Sequence, residues 1–414
     1  MEKDCKRDIA GVSASSWDEI NMSTFLKKNR ELLLIIFIII FWRFFLIFTI
    51  NTSSNFFPLQ NDYLGGSKKE YLRSPTTWSF ANFDGERYIH LARNGYTNSE
   101  YYYFPLYSLV LSKISFLWGA GIYSYLYSGM FVSFFCFLFL IFGFWKLLRI
   151  DFSKKITLMS IVMLILFPTS FYLVSVYTES FFLVLCIWSF YFARKGKWFP
   201  AALLAMFASA TRVVGIAMFI SILIEYFSQN NWKLRISNYT ILNFFKITFS
   251  TFGLIVYLAF LKLKTGNFFA FYNNLEQTFG SQRSSHFVLL PQVLYRYIFK
   301  ILPNLNYHFF PNLYSGYLEF ILSILFLFII LISFRKVRFS YFMFSLFIYL
   351  IPTLSGSFSS MPRYLLPCFV VYIMFAKYLS LGYKRFLFFC VILLFMVVLN
   401  YISFGLFSNG YWLS

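Results

Sequence analysis

The residues with the clearest capacity for chemistry lie close together in one short segment. That segment, FDGERYIHLARNGY at residues 83 to 96, holds five ionisable side chains: Asp84, Glu86, Arg87, His90 and Arg93. On a helix Asp84 and Arg87 share a face with Tyr88, because residues three and four apart are neighbours. A partly desolvated Asp84 that faces an alcohol is suited to be a general base, since it accepts the proton as the alcohol attacks. A surface helix with Asp84–Arg87 and Glu86–His90 pairs is the alternative.

Two further charged residues lie in apolar stretches. Glu179, in SVYTESFF, is predicted to begin a helix, where it is either a simple capping acid or a ligand for a sugar hydroxyl. Arg212, in SATRVVG, has apolar neighbours on both sides. An arginine inside a membrane costs roughly 2.5 to 3.5 kcal/mol on insertion scales, so Arg212 is expected to face a cavity or an anion.

Another arginine, Arg363, stands at the predicted start of a helix in GSFSSMPRYLLP. The first turn of a helix leaves backbone N–H groups free, and an adjacent guanidinium makes that turn suitable for phosphate. The alternative is an interfacial arginine that reaches water, with Tyr364 as an aromatic anchor. The substrate-binding candidates around Asp84 are therefore Glu86, His90, Glu179, Arg212, Arg363 and Tyr364.

Cofactor chemistry is not indicated by the sequence. The three histidines, His90, His286 and His308, lack the spacing of metal ligands, and the five cysteines form no CxxC pair. The sequence also has no Walker loop, no GxGxxG motif and no DxD pair. We therefore expect no metal and no other cofactor.

The elements that position these residues are predicted to be membrane helices. Of the 414 residues, 59% are hydrophobic, 24% aromatic and only 13% charged, whereas soluble domains have about 25% charged residues. The net charge of +20 comes mostly from Lys and Arg in short clusters between apolar runs. This pattern suits anionic lipid headgroups and topology control better than nucleic acid. The composition predicts an integral membrane protein with membrane lipid, and no nucleic acid, as a partner.

The apolar runs define the predicted helices. Eleven runs qualify: 32–50, 122–145, 156–174, 178–193, 199–211, 213–227, 240–263, 318–334, 339–354, 363–380 and 386–406. The runs 199–211 and 213–227 are too short for a full bilayer, and we expect them to meet near Arg212 inside the protein. With the N-terminus in the cytoplasm, the tail and the short inner loops together carry 21 of the 36 Lys and Arg residues, as the positive-inside rule requires.

This topology holds only if residues 104–118, FPLYSLVLSKISFLW, do not cross the membrane. We therefore expect an amphipathic helix along the interface there. The first apolar run lacks a small-residue cleavage site and is expected to remain as an uncleaved span. The predicted organisation is a cytoplasmic tail at 1–31, a single transmembrane domain at 32–406 with external loops at 51–121 and 264–317, and an external tail at 407–414.

Several segments, in the same order, resemble one known family. FDGERYIHLARNGY followed by YYYFPLYSLV is similar to the WDG…Y…IA..GY…FFPL block of the GPI second-mannose transferases, the PIG-V family, and their bacterial relatives. The segments FPTSFYLVSVYTESFF, AMFASATRVVG, TGNFFAFYNNLEQTFG and SSMPRYLLP continue the likeness, which covers residues from about 80 to 370. Phe83 departs from the pattern, because the family usually has Trp there.

The resemblance implies a GT-C fold and a membrane glycosyltransferase. Such an enzyme moves a hexose, mannose by the family's habit, from a polyprenyl- or dolichyl-phosphate donor to a hydroxyl on a glycolipid, glycan or protein acceptor. Asp84 matches the aspartate of WDG, the family's presumed base for inverting transfer. Glu179, Arg212 and Arg363 match positions that imply cavity lining and phosphate contact. A bacterial protein would act at the outer face of the plasma membrane, and a eukaryotic one in the lumen of the ER.

Two other classes of protein compete with this interpretation. A polytopic transporter or flippase of lipid-linked sugars would also account for the spans and for Arg212. A multi-span polysaccharide polymerase or ligase would use an arginine pair in its large external loop and would need no acid at Asp84.

Overall fold

A computed structural model describes residues 14–97, 100–233, 237–273, 275, 283–284 and 286–413, and all regular elements in these ranges are helices. The all-α architecture expected from the apolar runs is therefore confirmed. Residues 1–13, and with them Cys5 and the first part of the predicted tail 1–31, lie outside the described residues. The first helix, α1, begins at Ala14 and runs without interruption into the first apolar run.

Five helical segments are long and apolar enough to cross a membrane. They are Arg30–Ser53 within α1 (Ala14–Ser53), α6 (Ile122–Asp151), Thr240–Thr265, α15 (Phe310–Ser333) and α19 (Tyr383–Ser408). The shortest has 24 residues, which at ~1.5 Å per residue spans about 36 Å and exceeds the ~30 Å hydrocarbon core. The protein is therefore an integral membrane protein.

The remaining apolar runs form shorter helices that pack beside the long ones. These are α7 (Lys154–Leu166), α8 (Glu179–Arg194), α9 (Trp198–Thr211), α10 (Ala217–Gln229), α16 (Phe339–Thr353) and α18 (Phe369–Leu379). Helix α8 packs against both α6 and α9. The two short runs meet at Arg212 as expected, because its extended backbone, with φ of −152° and ψ of 144°, ends α9.

Several predicted boundaries were wrong, and prolines explain two of them. The run 156–174 ends as an α-helix at Leu166, since Pro168 restricts the residue before it, and a short 3₁₀ turn, Ser170–Leu173, follows. The run 363–380 is split around Pro367 into α17 (Met361–Tyr364) and α18. The run 240–263 is α11 (Asn238–Thr248) joined to α12 (Phe252–Thr265), and α15 begins at Phe310 rather than at 318.

Short helices fill the two predicted external loops. The first loop contains α2 (Lys68–Arg73), α3 (Pro75–Trp78), α4 (Asp84–Asn94) and α5 (Pro105–Ile114), and the second contains α13 (Ala270–Asn273) and α14 (Leu290–Arg296). Helix α5 has 10 residues, or about 15 Å of length, so it cannot cross a bilayer. Its Tyr107 and Leu111 are buried, while Leu109 is 55% exposed. This two-sided pattern agrees with an interfacial helix.

Helix α8 separates two polar regions of the protein. Glu179 begins this helix and Arg194 ends it, 15 residues later, which places the two about 22 Å apart. Around Arg194 lies a partly buried ionic network in which this arginine contacts Asp151 and, at 3.2 Å, the buried Glu225. Glu225 also accepts hydrogen bonds from Arg338 at 2.7 Å. The positive-inside rule predicts that this basic end faces the cytoplasm and that the Glu179 end faces outside.

Site-directed labelling tests that orientation. A Lys197→Cys variant, in the exposed turn after α8, is expected to react with a membrane-impermeant maleimide only from the cytoplasmic side. Asn304→Cys, exposed in the second predicted external loop, is the matched control and is expected to react only from outside. Labelling of position 197 in intact cells would overturn the topology.

Candidate functional site

Asp84 is positioned by an unusual backbone conformation at the residue before it. Phe83 has φ of +55°, a conformation that costs a non-glycine residue of order 1–3 kcal/mol and persists only where its surroundings fix it. The Phe83 ring is fixed by Tyr63 at 5.5 Å, Phe407 at 5.7 Å and Trp412 at 5.4 Å between ring centroids. Asp84 then begins α4 with its side chain turned into the protein.

The Asp84 carboxylate is buried and holds two partners from distant parts of the chain. One oxygen, Oδ2, accepts a hydrogen bond from Arg363 Nη1 at 2.7 Å, and Oδ1 accepts one from the Tyr103 hydroxyl at 2.8 Å. Only 7% of Asp84 is exposed. The alternative pair with Arg87 is not formed in this structure, because Arg87 is exposed and Asp84 faces inward.

Glu179 joins two arginines beside Asp84. Its Oε1 accepts a hydrogen bond from Arg212 Nη1 at 2.9 Å and lies 3.4 Å from Arg363 Nε. Its other oxygen, Oε2, is buried without a hydrogen-bond partner among the described residues. The four charged side chains predicted separately from the sequence therefore form one continuous chain from Asp84 to Arg212.

Tyr364 completes the cluster by contact with three guanidinium groups. Its ring centroid lies 4.7 Å from the guanidinium carbon of Arg212, 5.2 Å from that of Arg363 and 5.5 Å from that of Arg283. Its hydroxyl lies 2.8 Å from the hydroxyl of Tyr102. Such contacts stabilise cations where water is excluded.

Sequence reasoning missed Arg283, Tyr102 and Tyr103 as members of the site. Arg283 is 5% exposed and donates to Ser359 O at 3.0 Å. Arg283 stands in a polar loop segment, so nothing in the local sequence distinguished it from a surface arginine. The two tyrosines belong to the YYYFPL segment that carried the family resemblance, and this was the one signal available for them.

These side chains line a cavity of about 580 Å³. Its polar end is formed by Asp84, Glu179, Arg212, Arg283, Arg363 and Tyr364. Its remaining walls are largely apolar and include Phe104, Val213, Phe269, Phe271, Phe287 and Leu354. Phe269 and Phe287 are 57% and 75% exposed, so the apolar walls continue onto the outer surface of the protein. We call this space the arginine cavity.

Glu86 and His90 lie away from the arginine cavity. The partial burial of Glu86 raises the pKa of its carboxyl, against the opposing effects of Arg87 and the Gly66 backbone. His90 Nδ1 lies 2.9 Å from Glu100 Oε1 instead of near Glu86. Neither side chain lines the cavity, so their predicted contact with substrate gains no support from this placement.

A metal centre has no donor set among the described residues. No group of three or more His, Cys, Asp or Glu side chains is close enough there to hold an ion. His286 lines the arginine cavity, and the other two histidines do not.

Comparison with known proteins shows a similarity of shape. The sequence matches no family model and no curated protein. Among solved structures, the chain is similar to ArnT from Cupriavidus metallidurans bound to undecaprenyl phosphate, at 12% sequence identity and a TM-score of 0.49. The similarity covers 90% of this chain and 76% of the other. A likeness of this size does not determine function.

Proposed function

We propose that this protein is a membrane glycosyltransferase of the GT-C fold. It transfers a hexose from a polyprenyl-phosphate sugar to an acceptor hydroxyl at the external face of the membrane. The observation that carries the proposal is the arginine cavity, where a buried carboxylate, Asp84, lies among three arginines beside apolar walls. The resemblance of the sequence to the PIG-V family favours mannose as the sugar.

The charge of the cavity fits an anionic lipid donor. Two carboxylates, Asp84 and Glu179, face three guanidinium groups, so the cluster keeps a net positive charge. Arginine binds phosphate oxygens through charge-assisted hydrogen bonds. The exposed Phe269 and Phe287 at the apolar side give a hydrocarbon chain a path from the bilayer. A polyprenyl phosphate combines these two properties, an anionic head and an apolar tail.

The reaction is an inverting displacement at the anomeric carbon. The acceptor oxygen forms a bond to that carbon, the bond from the carbon to the phosphate oxygen breaks, and the acceptor proton passes to Asp84. A carboxylate has about four lone-pair sites, so the contacts to Arg363 and Tyr103 leave capacity to accept this proton. The phosphate departs with the bonding electrons as a lipid phosphate.

The arginines stabilise the charge that develops on the leaving phosphate. Arg363 is bonded to Asp84 and close to Glu179, and the phosphate competes with these carboxylates for its N–H groups. When Arg363 turns to the phosphate, it releases an oxygen of Asp84, which can then take the acceptor proton. Departure of the phosphate is thereby coupled to proton transfer. Preorganised donors of this kind cost little reorganisation at the moment of reaction.

Transfer of labelled sugar tests the proposal. Membranes that contain this chain are expected to move radiolabel from polyprenyl-phosphate mannose to lipid, glycan or protein acceptors, and membranes without the chain are not. If mannose is not transferred, the same assay with polyprenyl-phosphate glucose and polyprenyl-phosphate galactose identifies the sugar. Failure of every such donor would contradict the proposal and favour a transporter of lipid-linked sugars.

The pH dependence of donor binding is expected to report on Tyr364. Burial raises the pKa of this phenol, but the nearby Arg283, Arg363 and Arg212 outweigh burial and lower it to about 8. Loss of the proton above this pH adds a negative charge to the cavity, so affinity for polyprenyl phosphate falls as pH rises through about 8. Binding titrations at several pH values measure this fall.

Two phenylalanine variants distinguish the contribution of Tyr364 to this pH dependence from that of its hydrogen-bond partner, Tyr102. Tyr364→Phe is expected to abolish the alkaline fall in affinity. Tyr102→Phe breaks the same hydrogen bond but keeps the titrating phenol, so the fall is expected to persist at a somewhat higher pH. An unchanged fall in Tyr364→Phe would assign it to another group.

A further inference from the structure

Tyr88 lines the arginine cavity and is not used by the mechanism proposed above. It follows Asp84 by four residues on α4, so the two side chains are neighbours on one face of the helix. Only 9% of Tyr88 is exposed, whereas Arg87, the residue before it, is exposed. Helix α4 therefore brings a carboxylate and a phenol to the same cavity.

The ring of Tyr88 is held in one orientation by three other aromatic rings. Tyr103 and Tyr107 meet it at 81° and 85°, each with its ring centroid 5.3 Å away. Tyr177 lies 6.2 Å away at 67°. Edge-to-face contacts of this kind are favourable and restrict the ring. The position of the Tyr88 hydroxyl is therefore fixed before any ligand binds.

The hydroxyl of Tyr88 makes no hydrogen bond with any residue that the structure describes. The hydroxyls of the three neighbouring tyrosines are all bonded to protein groups, each at 2.8 Å: Tyr103 to Asp84 Oδ1, Tyr107 to Ser133 Oγ and Tyr177 to Asn82 O. Polar groups enclosed by protein are nearly always hydrogen-bonded, and an exception calls for an explanation. A fixed phenol that lines a cavity is explained if its hydroxyl binds an atom of the ligand.

The Tyr88 hydroxyl is suited to donate a hydrogen bond. Burial raises the pKa of this phenol, and the negative charges of Glu179 and Asp84 raise it further, against the opposing effects of Arg212 and Arg363. The hydroxyl therefore keeps its proton at neutral pH. Its partner in the ligand is accordingly an acceptor.

The arginines of the cavity indicate which acceptor this is. Arg363 and Arg212 line the same cavity as Tyr88. The guanidinium carbon of Arg363 lies 5.3 Å from the ring centroid of Tyr177, which in turn contacts Tyr88. An acceptor placed among a phenol and two guanidinium groups is favoured when it is anionic, because charge-assisted hydrogen bonds are the stronger ones. A phosphate oxygen meets this condition better than a sugar hydroxyl does.

Arg363, like Tyr88, is held in place by the fold. Ser360, three residues before it, has φ of +64° and donates its N–H to Glu319 at 3.3 Å. Glu319 is 7% exposed and also accepts a hydrogen bond from the Tyr297 hydroxyl at 2.9 Å. The turn that carries Arg363 is thus fixed from behind. Donors from two distant parts of the chain are therefore preorganised around one space.

We propose that the Tyr88 hydroxyl donates a hydrogen bond to the phosphate of the lipid donor and that Tyr88 is a catalytic residue of the transfer. The hydroxyl keeps its proton and adds a neutral donor to the charged donors of Arg212 and Arg363. Because negative charge on the phosphate grows as it departs, this contact strengthens in the transition state. The phosphate contact rests on the cavity, whereas the catalytic role rests on the proposed function.

Tyr88→Phe tests the phosphate contact without turnover. The variant loses only the hydroxyl and keeps the ring contacts, so folding is expected to persist. In nanodiscs, the affinity of the purified full chain for polyprenyl phosphate is expected to fall about tenfold. Its affinity for polyprenol, which lacks the phosphate, is expected to stay the same. Unchanged affinity for polyprenyl phosphate would overturn the proposal, and so would an equal loss of affinity for polyprenol.

Tyr107→Phe is the matched control. It removes a hydroxyl from the same group of aromatic rings, but that hydroxyl is bonded to Ser133 and Tyr107 does not line the arginine cavity. The folded Tyr107→Phe protein is expected to bind both lipids as the wild type does. If it lost as much affinity for polyprenyl phosphate as Tyr88→Phe, the effect would belong to the packing of the rings and the proposal would fail.

Kinetics test the catalytic role of Tyr88. Tyr88→Phe is expected to lower kcat about tenfold, since the contact is strongest in the transition state, and to leave the KM for the acceptor unchanged. A raised KM for the acceptor with an unchanged kcat would assign the hydroxyl to the acceptor and overturn the proposal. Weaker binding of polyprenyl phosphate by Tyr88→Phe, beside a wild type that transfers no sugar from any donor, would keep the phosphate contact and reject the proposed function.

Discussion

Asp84→Asn is expected to reduce sugar transfer by roughly 10²- to 10⁴-fold, the usual contribution of a general base. The asparagine keeps the shape of the side chain and an oxygen that accepts from Tyr103 or Arg363, but it cannot take the acceptor proton. Insertion and folding are expected to persist. Initial rates of transfer, measured with equal amounts of folded protein, give the size of the effect.

Glu86→Gln is the matched control for this variant. Glu86 lies two residues along the same helix, yet it does not line the arginine cavity, so its loss is expected to change the rate little. Full activity in Asp84→Asn would remove the base from the proposed mechanism. An equal loss of activity in Asp84→Asn and Glu86→Gln would indicate that activity depends on the net charge of α4 and not on a base at Asp84.

Arg363→Lys is expected to lower the rate of transfer by roughly 10- to 100-fold, since charge-assisted hydrogen bonds contribute about 1.5–3 kcal/mol. Lysine keeps the charge but loses the planar set of N–H groups that contacts Asp84 and Glu179 together. A neutral residue is less informative, because breaking a buried ion pair costs about 3–5 kcal/mol of stability.

Donor affinity distinguishes the two roles assigned to Arg363. The Arg363→Lys variant is expected to bind polyprenyl phosphate more weakly as well as to react more slowly, because the arginine contacts the phosphate before and during its departure. Arg87→Lys, at an exposed position of α4, is the control and is expected to behave as the wild type. Unchanged affinity and rate in Arg363→Lys would contradict the phosphate role.

The sequence predicted the helices well because apolar composition decides where a chain enters a membrane. Each of the eleven apolar runs contains a helix in the structure, and the extended break at Arg212 separates two short helices as expected. Errors arose where proline or a change of helix type intervened, as at Pro168 and Pro367. Rules based on local sequence predict such helix boundaries poorly, because tertiary contacts decide at which of several neighbouring residues a helix ends.

The sequence singled out several side chains that the structure brings together, but it did not predict how they pair. Asp84, Glu179, Arg212, Arg363 and Tyr364 meet in one cavity. The one partner considered for Asp84 was Arg87, three residues away, as the alternative to a catalytic role, whereas the structure pairs Asp84 with Arg363, which is 279 residues away. Spacing along a helix identifies neighbours on one surface and carries no information about partners from distant helices.

Glu319 shows a signal that was present and was not used. It stands in an apolar run, YLEFIL, as Arg212 does in its own, and a carboxylate in such a run is a functional candidate for the same energetic reason. Arg283 offered no comparable signal, since its neighbours are polar. A search for charged residues in apolar runs thus finds buried charges on helices. It misses buried charges that lie in polar loop segments.

One measurement tests the central claim most directly. Purified protein in proteoliposomes receives a polyprenyl-phosphate sugar labelled in both the lipid and the sugar, together with a mixture of acceptor glycans. The proposed reaction predicts that free polyprenyl phosphate appears in a one-to-one ratio with sugar bound to acceptor, and that Asp84→Asn produces neither. Movement of the intact labelled lipid across the bilayer, without release of polyprenyl phosphate, would contradict a glycosyltransferase and identify a transporter instead.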